Sequence, residues 1–298
     1  MAKFPFNIIR LIERQRTRRW DRQGISFYRF ENEKFSSAVY ASSNGKPKLL
    51  LLHGFAASAL LQWYDTARLL KHDFDLIIPD LLCSGYSVLK DGTYSVEDQV
   101  AHIKFILDEL GVDEKILVCG NSYGGLIAAH FTHTYPELVD RVVLYDAPAK
   151  FYSLTYANEL AVSMGMESIY KLLMPTTAFE MKKALGLIYT KLPFIPDFLY
   201  EAMFESPITD QRPCQEMLLD HLISNEKKYQ DFEYIITCPI YIIWGDSDRL
   251  IPMDTALSLK EYFNVSDDRF KVVTNAAHSI NMERPREFCT ELKALLAI

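Results

Sequence analysis

The stretch Gly120-Asn121-Ser122-Tyr123-Gly124 constrains the fold of this chain more than any other. It follows Lys115-Ile116-Leu117-Val118-Cys119, a short apolar run that reads as a buried strand, and it precedes Gly125-Leu126-Ile127-Ala128-Ala129-His130-Phe131, which reads as a helix. A serine on so sharp a strand-to-helix turn is crowded on both sides. Only small residues two before and two after it leave room, which explains the G-x-S-x-G spacing. The serine then projects above a sheet edge, at the positive end of the following helix.

The rest of the chain supplies the sheet. Ile25–Phe30 and Ser36–Ala41 read as short strands. Lys48–Leu52, Asp75–Asp80, Val142–Tyr145, Ile240–Trp244 and Phe270–Val273 are continuous apolar runs, which implies burial on both faces and a mainly parallel sheet. Helices alternate with them. Ser95 with Asp98 resembles a capping box, Val100, Ile103, Ile106, Leu107 and Leu110 form one face, and Gly111 supplies the stop. Pro285 opens a last helix with a stripe of Phe288, Leu292, Leu295 and Leu296. The expected core is a doubly wound α/β sheet formed by residues 25–148 and 235–298. Between 149 and 234 the alternation stops, and a stretch rich in Tyr, Phe and Met reads as an inserted helical cap.

Composition adds limits. The net charge of -7 argues against a nucleic-acid partner. Cys83, Cys119, Cys214, Cys238 and Cys289 are odd in number, show no metal-ligand spacing and include one in a buried strand, so free thiols in a reducing, cytoplasmic setting are expected. Residues 1–24 form a basic amphipathic segment. Lys3, Arg10, Arg14, Arg16, Arg18, Arg19 and Arg22 outweigh Glu13 and Asp21, while Phe4, Ile8, Leu11 and Ile12 share a helical face. Two readings stand: a helix in peripheral contact with anionic lipid through residues 1–20, or one packed on the domain's own surface.

A serine hydroxyl becomes a nucleophile when a base takes its proton and a carboxylate orients that base. Asn275-Ala276-Ala277-His278 follows the last strand and offers the base, His278. Trp244-Gly245-Asp246-Ser247-Asp248 follows a late strand and offers two acids; Asp146, ending the Val142 strand, is a third. An oxyanion hole needs two N–H groups. Tyr123, after the serine, offers one, and Phe55 in His53-Gly54-Phe55-Ala56-Ala57-Ser58 offers the other. His53 reads as a loop organiser and Asp80 as a residue tying its own turn.

These stretches, together with Asp80–Ser87 and Glu283-Arg284-Pro285, resemble the α/β-hydrolase superfamily over residues 25–298, in its helical-cap branch of esterases, lipases and carbon–carbon hydrolases. The resemblance implies an α/β-hydrolase sheet with an inserted cap, Ser122, Asp248 and His278 as the triad, and no metal or organic cofactor. Asp248 stands three residues after Gly245, where the family usually carries its acid. Asp80-Leu81-Leu82-Cys83-Ser84-Gly85-Tyr86-Ser87 is similar to monoacylglycerol-lipase-like relatives. Asn121 instead is similar to hydrolases of vinylogous diketones, which use a cap arginine and carry a tryptophan after the histidine. Here Arg212 is the sole cap arginine, and Ser279 follows His278. Gly54, Asn121 and Arg212 are the candidate pocket residues. With no arginine cluster in the cap, and with Met164, Met166, Met174, Met181, Met203 and Met217 among its aromatics, the expected substrate is an ester with an apolar, short-to-medium acyl group. Carbon–carbon cleavage and a slow ligand receptor are the alternatives.

Overall fold

In the computed structural model, residues 8–151, 153–204 and 211–297 are described. Lys3 and Phe4, which figure in the expectations above, lie outside them. A nine-stranded sheet organises the chain. Its strands are β1 (Ser26–Glu31), β2 (Phe35–Ala41), β3 (Lys48–Leu52), β4 (Asp75–Pro79), β5 (Val88–Leu89), β6 (Ile116–Asn121), β7 (Val139–Tyr145), β8 (Ile240–Gly245) and β9 (Phe270–Val273). The order is β1-β2-β4-β3-β6-β7-β8-β9, with β5 paired to β2. From β4 through β9 along this order every pairing is parallel, while β1, β2 and β5 form an antiparallel margin. The two-residue strand β5 is too short for a period-two signal, and the segment 236–239 before β8 is not strand.

The apolar runs became strands because each has two faces to bury. Leu50 and Leu52 of β3 enter one core, and Leu49 and Leu51 enter the other. The first core is closed by α3 (Val96–Glu109), α4 (Tyr123–Thr134) and, late in the chain, the helix Met253–Tyr262. The second is closed by α1 (Ile8–Asp21), α2 (Ala59–Leu70) and the last helix, Pro285–Leu296. Local signals match: Ser95 and Asp98 form the reciprocal capping box of α3, and Gly111 follows its end at φ 66°.

Between β7 and β8 lie α5 (Leu154–Ser163), α6 (Ile169–Leu173), α7 (Ala178–Ile188), α8 (Asp197–Met203), α9 (Arg212–Ser224) and α10 (Glu226–Gln230). Hydrogen bonds join them to three loops of the sheet domain, and Lys228 and Tyr229 of α10 bond to Glu97 and Val96 at the start of α3. The Tyr156 hydroxyl donates to Arg249 O at 3.0 Å. The N–H groups of His278 and Ser279 donate to Leu187 O and Ile188 O at the end of α7, and the Thr190 N–H donates to Glu283 Oε1 at 3.0 Å. On the third side, Gln211 and Gln215 donate to the carbonyls of Ser87 and Cys83 at 3.3 and 3.1 Å.

The third side also carries a disulfide, Cys83–Cys214. This corrects the expectation of five free thiols: the fold brings together two cysteines 131 residues apart, a proximity that spacing along the chain cannot reveal. It also removes the thiol argument for a reducing compartment. Cys119, Cys238 and Cys289 are free.

Helix α1 divides the two readings of its segment. At its C-terminal end Trp20 is fully buried, donating from Nε1 to Tyr64 O at 3.2 Å. At the other end Ile8, Leu11 and Ile12 remain 37–54% exposed. Among the described residues no helix is long and apolar enough to cross a membrane.

The disulfide has a direct check. Thiol titration of the denatured, unreduced protein should find three reactive cysteines, and five after reduction. Five before reduction, in protein purified without reductant under oxidising conditions, would contradict the bridge.

Candidate active site

Ser122 sits between β6 and α4 with φ 52° and ψ -123°, a conformation that costs a non-glycine residue of the order of 1–3 kcal/mol. Close backbone approach holds it there. A Cβ on Gly120 would lie 2.2 Å from Gly124 O, and one on Gly124 would lie 2.5 Å from the carbonyl oxygens of Leu52 and His53. The two glycines of the motif are therefore required by packing. Tyr123 is the first residue of α4, so its N–H has no partner within the helix.

A chain of side-chain amides fixes the elbow to its neighbours. The Gly54 N–H donates to Gln62 Oε1 at 2.8 Å, and Gln62 Nε2 donates to Asn121 Oδ1 at 2.7 Å. Asn121 Nδ2 donates to Tyr145 O at 3.3 Å and to His278 O at 3.4 Å. Asn281 extends the chain: its Nδ2 donates to Gln62 O at 3.0 Å, and its Oδ1 accepts from the Tyr145 hydroxyl at 3.1 Å. Loop 53–58, the elbow, β7 and the histidine loop are thus bound to one another. Gln62, Tyr145 and Asn281 were not singled out from the sequence. Each lies in a stretch that reads as ordinary helix, strand or loop, and only the fold brings their amides and hydroxyl together.

Asp248 and His278 are paired. His278 Nδ1 lies 2.7 Å from Asp248 Oδ2, with both residues buried. Asp248 Oδ1 accepts the N–H groups of Leu250 and Ile251 at 2.8 and 2.9 Å, so the carboxylate is fully engaged. Asp246 is exposed, and its carboxylate accepts from the hydroxyl of its neighbour Ser247. Asp146, the third candidate acid, is wholly buried, and its Oδ1 accepts the Gly245 N–H at 2.9 Å. The structure brings Asp248 and His278 into contact; it records no hydrogen bond between Ser122 and His278.

His53 and Asp80 hold loops. The Leu81 N–H donates to His53 Nε2 at 2.9 Å, which leaves Nδ1 to donate to Gly54 O at 2.8 Å. Burial pushes the imidazole down to about 4, so it stays neutral in this role. Asp80 accepts from the N–H groups of Ala59 and Tyr86, and burial raises its carboxyl to about 6.

Ser122 opens on a cavity of about 100 Å³. Its walls are mainly apolar and include Leu126 from α4, Leu154 from α5, Leu173 from α6, Leu219 and Leu222 from α9, and Leu250 beside Asp248. Phe55 and Tyr123 flank the serine, their rings 6.0 Å apart edge to face. Glu226, Tyr229 and Gln230 form a polar patch, within which Glu226 Oε1 accepts from the Leu154 N–H and from Gln230 Nε2. Among the described residues, no lysine or arginine lines the cavity. Nor does any methionine: Met166 packs into a small cap core with Leu172 and Leu187, and Met217 is exposed.

The three pocket candidates lie elsewhere. Arg212 donates from Nη1 to Met174 O and from Nη2 to Pro175 O, both at 2.7 Å, and so pins the chain before α7. Asn121 is spent in the amide chain, and Gly54 contributes backbone behind the serine. For a cation, the described residues provide one set of three side chains, Asp146, Asp248 and His278, with donor atoms within 4.8 Å of one another. A metal there would have to displace the hydrogen bond between Asp248 and His278.

Comparison with known proteins follows this geometry. Residues 47–164 match the family model described as alpha/beta hydrolase fold. The chain has the alpha/beta hydrolase fold, with the mostly parallel nine-stranded sheet described above. It is 26% identical over 288 residues to the monoacylglycerol lipase ABHD6 of Bos taurus, covering 92% of this chain and 82% of that protein. It is 28% identical over 264 residues to the 2-hydroxy-6-oxo-2,4-heptadienoate hydrolase of Pseudomonas putida, covering 85% and 90%. The crystal structure of a membrane phospholipase A superposes with a TM-score of 0.78 at 22% identity, over 97% of this chain and 89% of that one, a likeness of fold.

The amide chain can be tested through stability. Gln62→Leu removes the acceptor of the Gly54 N–H and the donor to Asn121 in a buried site. Each orphaned group costs about 1–3 kcal/mol, so urea unfolding should show a loss in that range or above. A change within experimental error would mean that water replaces the amide.

Proposed function

We propose that this α/β hydrolase cleaves carboxylic esters with an apolar acyl group. The observation that carries the reading is the cavity: it begins at a strained serine, has mainly apolar walls and, among the described residues, is lined by no cation. In this reading Ser122 Oγ attacks the acyl carbon and His278 Nε2 takes its proton, then gives it to the leaving alcohol. Asp248, hydrogen-bonded to Nδ1, holds the imidazole in the required tautomer. The N–H groups of Phe55 and Tyr123 stabilise the oxyanion. Water then clears the acyl-enzyme by the same route in reverse. The likeness to a monoacylglycerol lipase supports the ester class.

A second reading, carbon–carbon cleavage of a vinylogous diketone, draws on the likeness to a heptadienoate hydrolase. Its substrate carries a carboxylate, and the cavity offers that charge no partner, since Arg212 is bound to backbone carbonyls. Specificity constants for short p-nitrophenyl esters, a monoacylglycerol and a ring-cleavage dienoate separate the two. The expected order places the esters ahead of the dienoate, with Ser122→Ala losing about a million-fold in kcat and Asp248→Asn losing far more than Asp246→Asn. A clear preference for the dienoate would overturn the ester reading. Failure of a fluorophosphonate to label Ser122, with no turnover of any substrate, would favour a receptor.

The exposed face of α1 supports peripheral contact with an anionic membrane surface. Ile8, Leu11 and Ile12 stand out to solvent on a helix whose charge is dominated by arginine. A truncation through residue 20 would remove the buried Trp20 as well, so substitution is the cleaner test. Leu11→Glu combined with Ile12→Glu should weaken sedimentation with phosphatidylserine vesicles and leave turnover of a soluble short ester near that of the parent. Equal vesicle binding by both proteins would remove the proposal.

A further inference from the structure

Asp146 has no part in the mechanism above, yet it is completely buried beside it. It follows the last residue of β7 with a left-handed backbone, φ 42°. Its N–H donates to Ile243 O at 3.1 Å, and its Oδ1 accepts the Gly245 N–H. Gly245 ends β8 and begins the loop that carries Asp248, so Asp146 holds the root of the acid loop. Its second oxygen, Oδ2, is buried without a hydrogen-bond partner. Oxygens of Asp146 and Asp248 and a ring nitrogen of His278 lie within 4.8 Å of one another.

Two carboxylates this close in a dry site do not both ionise without a large cost. The charge has one natural owner. Asp248 accepts two backbone N–H groups and faces His278, whereas Asp146 accepts one N–H and has an oxygen to spare. Burial, with the charge of Asp248 added, holds the Asp146 carboxyl well above the ordinary carboxylate range. The other titratable groups around the pair are Tyr145 on β7, and Tyr156 and Arg249 on the side of Asp248. Tyr156 and Arg249 meet through the Arg249 carbonyl.

We propose that Asp146 is a positioning acid of this site: a neutral carboxyl group that fixes the acid loop through Gly245 and takes over the negative charge facing His278 when Asp248 cannot carry it. In Asp248→Asn the Asp146 carboxyl would release its proton to solvent, leaving a carboxylate within reach of the imidazole. The Asp146→Asn change is close to isosteric and keeps an oxygen for the Gly245 N–H, so it alters the charge without removing that contact.

The experiment has two arms. In the first, kcat/KM on a short ester is compared for Asp248→Asn and for Asp248→Asn combined with Asp146→Asn. The single variant should retain at least about tenfold more activity than the double, and the excess should rise with pH through an ionisation that the double lacks. Equal residual rates with the same pH profile would overturn the inference. In the second arm, infrared spectra of the resting parent at neutral pH should show a protonated-carboxyl band that Asp146→Asn removes. A parent without that band would overturn it as well. This arm needs no substrate, although the first rests on the ester reading. A protein that shows the band but turns over no ester would therefore refute the proposed function and leave the assignment of Asp146 in place.

Discussion

The closeness of β6 to α4 is the constraint on which the rest of the site depends. Backbone atoms meet where Gly120 and Gly124 have no side chains, and Ser122 is forced to positive φ between them. Such strain persists only when its surroundings over-determine it. Here they do so from several directions. The Ser122 N–H donates to Tyr145 O, and its carbonyl accepts from Gly125 and Leu126. Asn121 reaches across to β7 and to the histidine loop, and Gln62 connects Asn121 to the loop that carries Phe55. Ser122, His278 and the loop of Phe55 are spaced by a single buried hydrogen-bonded network, which gives the site rigidity at positions where the backbone is irregular.

The cap is fastened to the same loops that carry the chemistry. α7 accepts N–H groups from the histidine loop, α5 reaches the acid loop through Tyr156, and α9 is joined to the loop after β4 by two glutamines and a disulfide. A lid attached on three sides cannot move at one edge without disturbing the acid or the base. The walls of the cavity come from α4 and from four of the six described cap helices, α5, α6, α9 and α10. Leucines line it where a helix presents an apolar face both to the cavity and to its neighbours.

The sheet was legible because its signals are local. Continuous apolar runs mark β3, β4 and β6–β9, and the G-x-S-x-G turn marks the junction at which the sheet bears Ser122. The pairing of His278 with Asp248 rather than Asp246 could be anticipated from the family resemblance. The structure supplies the reason: Asp248 is turned inward by the Leu250 and Ile251 N–H groups, while Asp246 points to solvent. What could not be read depends on contacts distant in sequence. The Cys83–Cys214 bridge spans 131 residues, and the contacts of Gln62 with Asn121 and of Asn281 with Tyr145 span 59 and 136. Residue type misled in the cap. Arg212 was a candidate clamp because it is the cap's lone arginine, but a guanidinium satisfies two adjacent carbonyls as readily as a carboxylate.

Charge is sparingly placed in this site, and that bears on its substrate. His53 is held neutral by burial, Asp80 and Asp146 have raised carboxyl groups, and among the described residues no cation lines the cavity. Among these buried groups, Asp248 and His278 face each other directly, with two backbone N–H groups on the Asp248 carboxylate. A site built this way favours a reaction in which negative charge appears only transiently, on an oxygen that two N–H groups can reach, and in which the imidazole gains its proton beside a carboxylate already aligned with it. It disfavours a substrate that brings a permanent charge into the leucine-lined space, because no fixed countercharge would repay the loss of water. Under the proposed ester reading, a neutral acyl group is the substrate part that meets that condition.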